Sequence, residues 1–68
     1  MMKIDIYVKS VGYGYMAKSP DTDGAISKAC PGPKQAAVDL ADKHFGKGHY
    51  SLRTVTRKVY EATGDLSR

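Results

Sequence analysis

Sixty-eight residues with a formal net charge of +4 are enough for one domain, yet folding at this size hides only about 60% of the unfolded chain's surface, so the core must be small. One cysteine, Cys30, excludes an internal disulfide framework, and the cysteine and histidines lack zinc-ligand spacing, so neither a metal nor a cofactor is expected. There is no run of eighteen apolar residues, and Met1-Met2-Lys3-Ile4-Asp5 places an acid inside its short apolar stretch; a cytoplasmic protein is expected, neither exported nor membrane-spanning.

Met2, Ile4, Ile6 and Val8 alternate with Lys3, Asp5, Tyr7 and Lys9, the period of a half-buried strand. Ser10-Val11-Gly12 begins a turn, and Tyr13 to Lys18 reads as the second strand of a hairpin, with the tyrosines on one face and the glycines on the other. Ser19-Pro20-Asp21-Thr22-Asp23-Gly24 has the composition of a tight loop, after which Ala25 to Cys30 is expected to be a short third strand. Asp21-Thr22-Asp23-Gly24 matches only half a calcium loop: the full D-x-D-x-D-G spacing and the closing glutamate are missing, so it reads as a turn.

Pro31 to Gly46 is the one stretch with a marked helical start, period and stop. Gly32 can serve as N-cap, Pro33 sits where a first helical residue has no amide to lose, and Gly46 can adopt the left-handed conformation that closes the helix. At 100° per residue, Ala37, Val38, Leu40, Ala41, His44 and Phe45 share an arc, and Gln35, Asp39, Asp42 and Lys43 the opposite one. His44 is therefore read as a core histidine or one interacting with the negative helix end.

His49 to Tyr60, rich in β-branched and aromatic residues, is expected to form a fourth strand. Tyr50 and Leu52 fall on one face and Val55 and Val59 on the other, which predicts a bulge or turn near Thr54. The domain is expected over residues 1–62; the segment from Glu61 onward looks frayed, with 63–68 as a flexible tail. The order strand, strand, strand, helix, strand gives an α+β two-layer sandwich: a small antiparallel-rich sheet of three or four strands with one helix on one face. The other face is left for function, carrying Tyr7 and either the Tyr13/Tyr15 side or the Met16 side of the second strand.

The positive charge is uneven. Residues 1–30 carry +1 and residues 31–68 carry +3, and from Lys43 to Lys58 there are five bases, two histidines and no acid. That distribution favours an anionic partner. Lys47, Arg53, Arg57 and Lys58 are the candidate binding cations, with Tyr7, Tyr13, Tyr15 and Tyr50 as stacking faces for nucleic acid or anchors of a protein contact. Catalysis is not expected, because Cys30, His44 and His49 come with no third group that would complete a nucleophilic site.

Ile6-Tyr7-Val8, the run from Tyr15 to Ser27 and the alanine-rich helix together resemble the HicB-like antitoxin domain over residues 4–46. Tyr15, Ala17, Pro20, Asp21, Gly24 and Ser27 occupy the places of that family's Y-x-A strand, P-D-x-x-G loop and serine-bearing short strand. The resemblance implies a partial RNase H-like fold and an antitoxin that covers a toxin RNase. The stretch from Ser27 to Phe45 also looks like small phage and prophage proteins of the anti-CRISPR type. The expected function is accordingly a non-catalytic interaction protein of phage or mobile-element type, which binds and blocks a protein or nucleoprotein target through its open sheet face and basic fourth strand. An antitoxin and a direct nucleic-acid-binding module are the alternatives, and the small core leaves room for a homodimer.

Overall fold

A computed structural model describes residues 2–22 and 24–65. Its elements are β1 (Met2–Val11), β2 (Gly14–Lys18), α1 (Pro33–Phe45), β3 (Tyr50–Thr56) and β4 (Val59–Gly64). The four strands form one antiparallel sheet in the order β2-β1-β4-β3, and α1 packs on one side of it. The α+β two-layer plan stands. No helix among the described residues is long and apolar enough to cross a membrane.

The alternation in β1 sorts its residues as the period predicts: Ile4, Ile6 and Val8 are buried, while Lys3, Tyr7 and Lys9 are exposed. Ala36, Ala37, Leu40, Ala41 and Phe45 of α1 complete the core with Ala17, Cys30, Tyr60 and Ala62. Three alanines on the buried face bring the helix axis close to the sheet. Pro33 opens the helix, and Gly46 closes it at φ 98° with its N–H donating to the Asp42 carbonyl.

Two expected strands are corrected. Ala25 to Cys30 is an irregular strap touching β2 through single bridges, Tyr15 to Cys30 and Lys18 to Ile26. The reason is a side-chain substitution in the ladder: the Ala17 N–H donates to the buried Ser27 Oγ at 2.8 Å, where a continuous strand would offer a carbonyl. Asp39 and Lys43 pin the strap to α1 by accepting from the Lys28 N–H and donating to the Ile26 carbonyl.

The expected fourth strand is two strands. Arg57 and Lys58 form the turn between β3 and β4, and the register slips between Thr54 and Thr56, where parity breaks in the sequence. The chain order is thus β-β-α-β-β. Residues 61–64, expected to fray, lie in the middle of the sheet, where β4 pairs with both β1 and β3; of the expected tail, 66–68 lie outside the described residues.

Candidate functional site

Register partners in an antiparallel sheet share a face, so the pairings assign the side opposite the helix. It carries Lys3, Asp5, Tyr7, Lys9 and Val11 from β1 and Met16 and Lys18 from β2, together with Val59, Glu61 and Thr63 from β4 and Ser51 and Arg53 from β3. The Met16 side of the second strand therefore faces away from the helix. Tyr15 lies on the helix side, half-buried against the core.

Two regions divide this face. Toward β2, Val11, Met16 and Ile26 line a shallow apolar depression of about 200 Å³ whose rim carries Lys9 and Lys18. Toward β3, Glu61 ties the surface together, accepting from the Arg53 Nε at 3.1 Å and lying 3.5 Å from the Lys3 Nζ. The Arg53 hydrogen bond, with both cations nearby, holds the Glu61 carboxyl below the usual carboxylate range. Tyr7 stands between the two regions with 44% of its surface exposed.

The other expected binding residues do not converge. Tyr13 is 79% exposed in the β1–β2 turn. Tyr50 faces the helix, stacks on Phe45 with ring centroids 6.0 Å apart, and donates its hydroxyl to Asp42 at 2.7 Å. Burial and that bond push its phenol well above the ordinary tyrosine range. Lys47 precedes β3 while Arg57 and Lys58 follow it, which separates them by about 20 Å along the strand. Arg57 and Lys58 instead meet Tyr15, Thr56 and Pro33 around a groove of about 550 Å³ at one end of the sheet.

Cys30 is buried beside the start of α1, and His49 is exposed beyond its end. They lie a helix length apart and share no site. His44 packs edge-on against Phe45, with ring centroids 4.7 Å apart. Among the described residues, no three histidine, cysteine or acidic side chains are grouped to hold a metal ion.

Lys9, Lys18 and Ile26 went unmarked in the sequence as site residues. For Lys9 the signal was present, since it shares the parity of Tyr7. Lys18 and Ile26 required the β1–β2 register and the path of the strap. What these observations define is a class: a two-layer α+β protein with one sheet face left uncovered by the described residues and lined by lysine, tyrosine and aliphatic side chains beside the Arg53–Glu61 pair. No family model, curated protein or solved structure matches this chain.

Proposed function

We propose that this chain is a non-catalytic interaction protein of phage or mobile-element type, which binds and blocks a protein or nucleoprotein target. The observation that carries the reading is the uncovered sheet face, where Tyr7 stands beside an apolar depression rimmed by Lys9 and Lys18. Exposed apolar side chains rimmed by cations suit a partner that presents apolar groups among carboxylates or phosphates. In the antitoxin reading, the same face would cover a toxin RNase; it draws on the resemblance over residues 4–46. A nucleic-acid reading draws on Arg57 and Lys58 beside the groove at the sheet's end.

The test is capture from cell extract with and without nuclease, using the native chain, a Tyr7→Ser/Lys9→Glu variant and a Lys34→Glu control on the exposed side of α1. A partner retained after nuclease, lost with the sheet-face variant and kept by the control is the expected result. Loss of all capture on nuclease treatment, with the sheet-face variant capturing as much as the native chain before it, would replace the proposal with the nucleic-acid reading. Equal capture by all three proteins would remove the sheet face from consideration.

A further inference from the structure

Successive backbone amides in a strand point to alternate edges, and one hydrogen bond sets the parity of the whole sheet. The Val8 N–H donates to the Lys58 carbonyl, so even-numbered residues of β1 bond toward β4 and odd-numbered residues toward β2. Carried through the registers, Ser51 and Arg53 bond inward to β4, while Tyr50, Leu52 and Thr54 turn their N–H and C=O groups to the outer edge of β3.

The opposite edge of the sheet is covered along β2. By the same parity Tyr15 and Ala17 face outward from β2, and the strap meets them. Tyr15 exchanges two backbone bonds with Cys30, and Ala17 accepts from the Ser27 N–H and donates to its hydroxyl. Beyond the end of β2, the outward Asp5 N–H donates to the Asp21 carboxylate. Nothing equivalent lies along β3, whose outward groups have no partner among the described residues.

We infer that the outer edge of β3 accepts an added antiparallel strand from a partner, an extended segment that alternates apolar and acidic residues. The inference deepens the proposed function and rests on its reading of this chain as a binding protein. Charge selects the occupant. Lys47 stands before β3 and Arg57 and Lys58 after it, all exposed, and residues 43–60 contain no acid. Pairing β3 with a second copy about Leu52 would bring Lys47 opposite the partner's Arg57 and Lys58 at both ends, a like-charge arrangement that costs stability. An acidic strand meets cations at both ends instead. Its alternate residues would lie beside the half-buried Tyr50 and Leu52 on the helix side and beside Ser51 and Arg53 on the open side, which sets the apolar and acidic positions.

The experiment is an NMR amide-exchange titration with a synthetic heptapeptide alternating glutamate and valine, and with its lysine/valine counterpart. The glutamate peptide should slow exchange at Leu52 and Thr54 at least tenfold and leave Ser51 and Arg53, already bonded, unchanged; the lysine peptide should do nothing. Thr54→Pro removes an outward donor at a position where an edge strand tolerates proline, and should weaken binding tenfold or more with Ser51 and Arg53 still protected. Arg57→Glu/Lys58→Glu should shift preference toward the lysine peptide. Equal binding of both peptides, or no protection at Leu52, overturns the inference. So does concentration-dependent protection without peptide accompanied by a dimer mass in ultracentrifugation, which would assign the edge to a second copy. In the capture assay, loss with Tyr7→Ser/Lys9→Glu but full retention with Thr54→Pro rejects the edge and keeps the sheet face; the reverse pattern rejects the face and keeps the edge.

Discussion

Tyr50 and Ser27 show how single polar groups hold this small fold together. The Tyr50 hydroxyl bond to Asp42 is 2.7 Å long, and Tyr50→Phe should cost about 1 kcal/mol in urea unfolding at neutral pH. Because the folded phenol titrates above the ordinary value of 10.0, its contribution is complete below that pH and declines as pH rises past it. The difference between native and Tyr50→Phe proteins should therefore shrink on going from pH 8 to pH 11, and a constant difference would contradict the assignment. Glu61 behaves oppositely. Its carboxyl is held below its ordinary value of 4.5 by the Arg53 bond, so its contribution is present above that pH and lost as pH falls through the lowered value. Glu61→Gln should match the native protein in acid and fall below it at pH 7. Ser27→Ala would strand the Ala17 N–H in the interior, at a cost of about 1–3 kcal/mol, readable as a lowered urea midpoint together with faster exchange of that amide.

Among the elements, the strap decides how the sheet ends. Gly14 approaches the Cys30 backbone so closely that an added Cβ would collide with the Cys30 carbonyl. Gly14→Ala should break the Tyr15–Cys30 bridge, with loss of exchange protection at Tyr15 and Cys30 before global unfolding. Gly64 plays the same part at the open end of the β3–β4 hairpin, where an added Cβ would lie 2.9 Å from the Tyr50 Cα. The hairpin itself explains a missed boundary. Arg57 and Lys58 carry none of the glycine, asparagine or proline that marks a turn, so the run from His49 to Tyr60 reads as one strand, and only the parity break near Thr54 hints at two. The strap reads as a strand for the complementary reason. Its composition allows a strand, but Ser27 satisfies Ala17 by a hydroxyl, and a side-chain bond of that kind leaves no period in the sequence.

At the scale of the whole molecule, the alanine face of α1 sets the distance between its two layers. Ala37 is fully buried, so Ala37→Leu would force the helix off the sheet at about 1–3 kcal/mol. In a domain of this size each kcal/mol lowers Tm by roughly 4–8 °C, and a calorimetric scan showing no change would mean that the layers are not in contact there. The single helix covers one side of a four-stranded sheet. Tyr7, Lys9 and Lys18 therefore stay exposed, and the proposed binding face follows from the lack of a second layer among the described residues.

Local pattern determined a good part of this protein: the period of Met2 to Val8, the proline and glycine that bound α1, the buried arc of that helix, and hence the two-layer class. These are short-range properties, set by side-chain alternation and backbone conformation within one element. Tertiary structure decided what depends on pairing between strands. The registers between β1 and β2 and between β3 and β4 put Met16 and Lys18 on the uncovered side and Tyr15 and Tyr50 under the helix. They also sent Lys47 and Arg57 to opposite ends of β3 and left the outer edge of β3 without a partner among the described residues while the strap covered β2. Register is fixed by hydrogen bonds between strands, and a period read within one strand carries no information about which strand, or which edge, it will meet.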